Sequence, residues 1–576
     1  MAKTNKVKKK TKNKKLSIEE RRHRKVQTDH TRSVRTVFRN MGFVRVNEIA
    51  GTEVVFGGRV GEFDDAFMYE NVILLVEYTT SQSSDVPSHL KNKKIIFSNV
   101  QQDPRGFIEY FKTRSNEFRE RINDRFHIDK YILKIVYCSR FDFDETVKHL
   151  VDEPVYLDFP MLKYFEKISG TIKVSALNEM LGLLGIDPLK VARDGKIAQE
   201  SQSGHYKGSI LPESSSGFPP GYKVVSFYAD AASLLSRAYV LRRDGWRGSG
   251  QAYQRMLISS KIEEIRKKLK SEKRVFVNNL VATLPLDTRC ENEDGTTINI
   301  ADLSQTEPVI IRLPSKPNSI GLIDGQHRLY SYYETKEDDL KIAQLRSEQN
   351  LLVTGVVYPE NTTEAQAERF AAELFLTINA HQTNAPASLR QEIEVFLKPS
   401  NPTAIGRRVM QELAASGPLA GHVEKHFFDK GKLKTSSIVS YGLGPLIKLS
   451  GEDSLFKVFP HPEKDKIAKG ESDSGLVDYV KFAKTQINTF LGAVKSNVDS
   501  ARWTPDNRVK DRLLSVTYIN SFLITLRFLI RDGKEINFES LKNNLNGIDR
   551  FKFREFHSSQ YNRMAEQIYK EYFDTT

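Results

Sequence analysis

Cysteine is almost missing from this 576-residue chain. Only Cys138 and Cys290 occur, too few and too far apart for a cysteine-rich zinc module, and in keeping with a reducing cytoplasm as the expected location. No apolar run approaches the roughly 18–20 residues of a membrane span, so no membrane partner is expected. The lysine-rich start is not followed by an apolar segment and a small-residue cleavage site, which argues against a secretory signal. There is no Walker-type glycine loop and no GxSxG elbow, which disfavours conventional P-loop and serine-hydrolase chemistry. No internal repeat is visible.

What is present fits a soluble multidomain protein. Hydrophobic residues make up 39% and charged residues 28%, and the chain is longer than one hydrophobic core usually serves. The net charge of +14 is unevenly placed. Residues 1–25 hold twelve Lys or Arg against Glu19 and Glu20, a surplus of +10, so the remaining 551 residues carry only +4. The basic character is mostly a tail, able to hold DNA without sequence preference through counterion release, or simply to keep the chain in solution.

Composition shifts suggest five segments: a basic tail at 1–27, an α/β domain at 28–198, a Ser/Gly/Pro-rich linker at 199–222, a second α/β domain at 223–400 and a mostly helical region at 401–576. The charged stretch 17–41 is helix-compatible, and Tyr253, Leu257, Ile258, Ile262, Ile265 and Leu269 share one helical face. Val275-Phe276-Val277, Leu280-Val281-Ala282, Val309-Ile310-Ile311 and Leu351 to Tyr358 read as strands. Leu513 to Ile530 reads as a buried helix, and Lys469 to Gly475 as a loop.

Near the N-terminus, Gly61 to Thr80 reads as a β-hairpin with Asn71 at its turn and Val72 to Tyr78 as a nearly continuous apolar strand. An ionised Glu77 at the end of such a strand is costly to bury alone. Asp64 or Asp65 should arrive beside it on the antiparallel neighbour. Two such carboxylates can hold Mg²⁺, which takes oxygen ligands and keeps waters, and can activate water against a phosphodiester. The plain alternative is a surface hairpin with ordinary turn acids. The arrangement resembles the PD-(D/E)xK nuclease fold over roughly residues 28–150. The resemblance implies Asp64 or Asp65 as first acid and Glu77 as second, all three candidate catalytic and metal residues. It also implies a lysine two residues after the glutamate, where Thr79 stands. Lys91, Lys93 or Lys94 are the candidates to fill that gap; otherwise the module is an inactive DNA-binding relic.

A second constellation is Gly321-Leu322-Ile323-Asp324-Gly325-Gln326-His327-Arg328-Leu329-Tyr330. It joins an apolar run to a helical pattern through a polar corner. Gly325 permits a sharp turn and close approach of an anion, and the following N–H groups and dipole favour phosphate. His327 and Arg328 could stabilise transferred charge, and Asp324 could hold the arginine or a metal. An Asp-Gly turn needs no ligand, however. The motif resembles the DGQHR-domain family, which includes the DndB proteins of DNA phosphorothioation systems and is similar to the ParB/sulfiredoxin superfamily and to the DGQQR-type domain of GmrSD-type restriction enzymes. Val224 to Asp230, Tyr253-Gln254-Arg255, Arg274 to Asn279 and Leu374 to Thr383 fit it in order, over roughly residues 221–400.

The resemblance implies a central ParB/sulfiredoxin-like domain that binds and hydrolyses ATP or another nucleoside triphosphate. Asp324, His327 and Arg328 would be catalytic, and Gly325, Gln326, Arg255, Asn379 and Gln382 would hold the nucleotide. The expected function is that of a DNA-modification or anti-phage defence protein acting on DNA, with partners from the same gene cluster and homo-oligomerisation both open. Two alternatives stand beside it: a non-enzymatic DNA-binding regulator or adaptor, and a metal-dependent endonuclease whose DGQHR domain is a sensor. His89 and His381 are isolated, without metal-ligand spacing, and read as ordinary polar residues.

Overall fold

In the computed structural model, which describes residues 17–81, 86–122, 125–141, 148–193, 195, 204–240, 256–380, 387–426 and 428–574, two mixed sheets precede a helical region. The chain is thus an α/β multidomain protein with a helical C-terminal region. Its first helix, Ile18–Asn40, is set by a capping box: Ser17 Oγ accepts from the Glu20 N–H at 3.1 Å, and the Glu20 carboxylate accepts from the Ser17 N–H at 2.7 Å. The expected boundary at residue 27 therefore falls inside a continuous helix. Val34, Val37 and Phe38 on its inner face are fully buried.

The first sheet has the order β1-β4-β5-β6-β7. Its strands are β1 (Val44–Arg45), β4 (Asp65–Tyr69), β5 (Val72–Thr79), β6 (Ile132–Ser139) and β7 (Val155–Leu157); β2 (Thr52–Phe56) and β3 (Arg59–Phe63) form a separate hairpin. β4 and β5 are antiparallel, joined through Glu70, which takes a left-handed conformation, and Asn71. The chain then crosses over by way of the helix Val86–Gln102 to place β6 parallel to β5. Burial on both faces explains the near-continuous apolar run of β5.

The second sheet has the order β10-β14-β11-β15-β9-β8-β13-β12. Its strands are β8 (Gly204–Ile210), β9 (Lys223–Asp230), β10 (Ala238–Tyr239), β11 (Leu280–Thr283), β12 (Arg289–Glu291), β13 (Glu307–Leu313), β14 (Ile320–Asp324) and β15 (Asn350–Val357). β8 corrects the expectation of a linker over 199–222: it pairs with β13 from Gly204↔Leu313 to Ile210↔Glu307 and with β9 on its other side. Gly208 is required there, because a Cβ would lie 2.3 Å from the Ser226 carbonyl oxygen. Val275-Phe276-Val277, expected as strand, lies outside β11, which begins at Leu280. Val72 and Leu74 of the first sheet share one buried apolar cluster with Phe227, Leu280 and Val353 of the second. Helices Glu364–Ala380 and Ala387–Leu397 cover β14 through Phe375, Ile393 and Ile323. Beyond them, Val516–Arg531 is buried from Ile519 to Leu526, as its sequence predicts. Both cysteines are free and buried. Among the described residues, no helix is long and apolar enough to cross a membrane.

Asn71 ties the hairpin to the rest of the domain. Its amide donates to the Lys130 and Lys190 carbonyls at 2.7 and 2.9 Å, and its oxygen accepts from the Ala192 N–H at 2.8 Å, all with the side chain fully buried. Removing it strands three backbone groups. Asn71→Ala is expected to cost about 3 kcal/mol, read as a lowered urea midpoint at unchanged slope; a loss within the range of surface substitutions would refute this role.

Candidate functional site

Strand alternation and hairpin register decide which acid meets Glu77. Asp65 pairs with Val76, so one step outward Asp64 stands opposite Glu77 on the same face. Asp64 is fixed by the Tyr78 N–H, which donates to its Oδ2 at 2.7 Å. Glu77 is only 3% exposed; its Oε1 lies 2.7 Å from Lys93 Nζ, and its Oε2 is buried with no hydrogen-bond partner. Burial, and then the neighbouring Asp64, push the Glu77 carboxyl up to about 8, although Lys93 pulls the other way. Burial likewise raises Asp64, against the opposing effects of the Tyr78 N–H and Lys93.

Asp65, the other candidate first acid, is corrected to a structural role. It points away from Glu77, is wholly buried, and accepts from Arg35 Nε at 2.6 Å, from the Tyr78 hydroxyl at 2.7 Å and from Arg45. Those donors occupy its oxygens and leave it no access to the Asp64–Glu77 face.

The helix Val86–Gln102 faces that site. Its buried residues Val86, Leu90, Phe97 and Val100 fix its rotation, and this turns His89 and Lys93, four apart, toward Glu77. Of the three lysines expected as replacements, Lys93 is the one that arrives; it also donates to the Glu62 carbonyl at 2.9 Å. Lys94 instead reaches the Leu150 carbonyl at 3.2 Å, and Lys91 is exposed. Thr79 uses its hydroxyl to accept from the Ser81 N–H at 3.2 Å. His89 was not singled out by spacing, yet its Nε2 lies 4.0 Å from Glu77 Oε1, while its Nδ1 is 2.8 Å from the buried Tyr137 hydroxyl. Burial, then Lys93, holds its pKa below the usual range, so it is neutral at pH 7 and keeps a basic nitrogen. The signal that finds it is the i, i+4 relation to Lys93, readable only once the helix is known to pack over β5.

Among the described residues, no three His, Cys, Asp or Glu side chains gather around a common metal position. A cation here would rest on Asp64 and Glu77 alone and keep most of its waters, a coordination that suits Mg²⁺. The partnerless Glu77 Oε2 is the feature that fits such an ion.

The Asp324–Arg328 corner is built differently from expectation. Gly325 does turn the chain, at φ +96°, between β14 and the short helix Gln326–Tyr330. The space on its Cβ side is filled, however: a Cβ would meet Leu280 Cδ2 at 2.4 Å and Arg328 Nη2 at 3.0 Å, which blocks approach of an anion from that side. Arg328 Nη2 donates inward to the Asn279 carbonyl at 2.8 Å and to Asp324 Oδ2 at 3.1 Å. His327 Nε2 accepts from the Ile258 N–H at 3.2 Å, and both Gln326 and His327 are buried. Asp324 remains partly exposed, and Arg328 Nε is buried without a partner. Asn379 falls in the last turn of the helix Glu364–Ala380. Tyr253, Gln254, Arg255, His381 and Gln382 lie outside the described residues.

No protein-family model matches the sequence, and neither a curated protein nor a solved structure matches it.

The raised Glu77 pKa has a consequence for stability. The protonated carboxyl is favoured in the fold, so the stabilisation is complete below its ordinary value of 4.5 and is lost as pH rises through about 8. In EDTA, the wild type is expected to lose stability between about pH 5 and about pH 8, relative to Glu77→Gln, by a few kcal/mol. Urea midpoints of both proteins at the two pH values measure this; parallel behaviour would contradict it.

Proposed function

We propose that this chain is a divalent-metal-dependent nuclease acting on DNA, with Asp64, Glu77 and Lys93 at its centre. The observation that carries this reading is the partnerless Glu77 oxygen beside Asp64, with Lys93 Nζ 2.7 Å from the other oxygen of the same carboxylate. The hairpin, the crossover helix and the parallel strand β6 bring these side chains to one place, which supports the reading. Lys93 supplies from the helix the cation that Thr79 does not.

Asp64 and Glu77 would hold Mg²⁺, which when bound neutralises charge on a scissile phosphate and acidifies a water. Lys93 offers ammonium hydrogens to orient that water and to meet the charge developing on the phosphoryl oxygens. Neutral His89, its Nδ1 anchored on Tyr137, presents Nε2 to accept a proton. The basic tail and the charged helix Ile18–Asn40 add sequence-independent affinity for the polyanion. The DGQHR resemblance of residues 221–400 supports placing this activity in a DNA-modification or anti-phage defence setting, with that domain as sensor or scaffold.

Nucleotide turnover at Asp324–Arg328 is the weaker reading. It is favoured by the partnerless Arg328 Nε and the partial exposure of Asp324, and opposed by the filled space over Gly325.

Purified full-length chain is expected to nick or linearise supercoiled plasmid in Mg²⁺ or Mn²⁺. Glu77→Gln should reduce the rate at least about a hundredfold and Lys93→Ala about ten- to a hundredfold. Retention of DNA without cleavage under either metal, or equal cleavage by wild type and Glu77→Gln, would reject the nuclease in favour of a binding module.

A further inference from the structure

The helical region carries a cleft of about 590 Å³ that the proposed nuclease does not use. Its walls bring together Arg502, Lys510, Arg512, Lys552 and Arg554 with only three acids, Asp511, Asp549 and Glu555. We propose that this cleft binds a phosphate group, carried either by a free nucleotide or by a nucleic-acid strand.

The three acids are already engaged within the cleft. Asp549 pairs with Arg502 at 2.6 Å, Asp511 with Arg554 at 2.5 Å and Glu555 with Lys552 at 3.3 Å. Lys510 and Arg512 are left over: among the described residues, neither side chain makes a hydrogen bond or an ion pair. The nearby Asp506, which feels Arg512, is held by Arg508 Nη2 at 2.7 Å and Nε at 3.0 Å. Two cations lining one cleft without a hydrogen bond or ion pair are open to a phosphate, which also matches the planar donor fork of arginine.

Neutral donors point the same way. The 16-residue helix Val516–Arg531 begins at the cleft. Ser515 Oγ accepts from the Tyr518 N–H at 3.2 Å and the Ser515 carbonyl from the Ile519 N–H at 3.0 Å, so the Val516 and Thr517 N–H groups stay open. The Tyr518 hydroxyl makes no hydrogen bond among the described residues and lies in the field of Arg554 and Arg512. Buried Leu513, Phe551 and Phe553 supply the apolar part of the lining. The volume suits a nucleotide-sized ligand.

The full-length chain and its Lys510→Gln/Arg512→Gln variant, both retaining the basic tail, are compared for binding of ATP by equilibrium dialysis and of a short fluorescein-labelled oligothymidylate by polarisation. At least one probe is expected to bind the wild type, and the double substitution to weaken it about tenfold. A loss confined to ATP identifies a nucleotide site, and a loss confined to the oligonucleotide identifies a strand site. Equal binding to both proteins, or no binding of either probe, overturns the proposal. Should the variant not fold, the wild type alone decides: bound probe must slow tryptic cleavage after Arg512, and unchanged cleavage counts against the cleft.

Discussion

The arrangement around Glu77 rests on a carboxylate kept where water cannot solvate it. Taking an ion of this size out of water costs several kcal/mol even after relaxation, and one ammonium contact does not satisfy both oxygens. Lys93 meets Oε1 and leaves Oε2 buried without a donor, while Asp64 on the facing strand adds like charge. A fold selected only for stability would place an amide or an apolar group there. One residue along from Asp64 the same hairpin solves the same problem completely: Asp65 is equally buried, yet two arginines and a tyrosine hydroxyl saturate it. The contrast separates an acid that holds the domain together from a pair that is left crowded and short of donors. Such incomplete satisfaction is the usual physical mark of a site that completes itself with a ligand.

Much of this hairpin was legible in the sequence. The apolar run of β5, the turn at Asn71 and the approach of an aspartate to Glu77 follow from alternation and from the cost of burying charge. Choosing between Asp64 and Asp65 did not follow, since adjacent residues on a strand face opposite ways and only the register tells which face carries the glutamate. Choosing Lys93 from the three candidate lysines, and finding His89 at all, were out of reach for a related reason. Their direction depends on how the helix Val86–Gln102 is rotated on the sheet, a phase set by Leu90 and Phe97 seating against the core. β8 was hidden by its surroundings: Ser, Gly and Pro on both sides suggest a linker, whereas the strand itself is exposed on alternate residues and admits Gly208 because β9 approaches so closely.

The corner at Gly325 teaches a different lesson about motifs. A glycine, a histidine and an arginine beside a helix start are the residues an anion would choose, and they are also the residues a tight strand-to-helix joint needs. In this chain the joint uses most of them. Gly325 accommodates Leu280 and the arginine, Arg328 closes onto Asn279 and Asp324, and His327 takes a backbone N–H from the segment entering the helix Ser259–Glu272. Residue types at fixed spacing therefore identify the local geometry more firmly than its occupant. What decides the occupant is how much of each side chain's bonding capacity remains after the fold has taken its share.

That criterion also orders the positive charge of the molecule. A net +14 suggests a polycation, yet several cations of the folded body are committed to internal acids, as at Arg312–Glu291, Arg346–Asp338 and Arg527–Asp453. The net surplus lies mostly in the tail, +10 of the +14, and cleft side chains such as Lys510 and Arg512 add cations not paired with an acid. Charge carried on a tail gathers DNA without orienting it, because its contacts slide along the backbone. Orientation has to come from groups whose positions the fold fixes, and Lys93 beside Glu77 is one of these: it is held by a packed helix, and in the proposed nuclease it would meet a phosphate at the mouth of the hairpin. Under the proposed function, the basic tail would serve capture and the rigid, under-satisfied acidic pair chemistry, so that a body with little surplus charge could be organised around a polyanionic substrate.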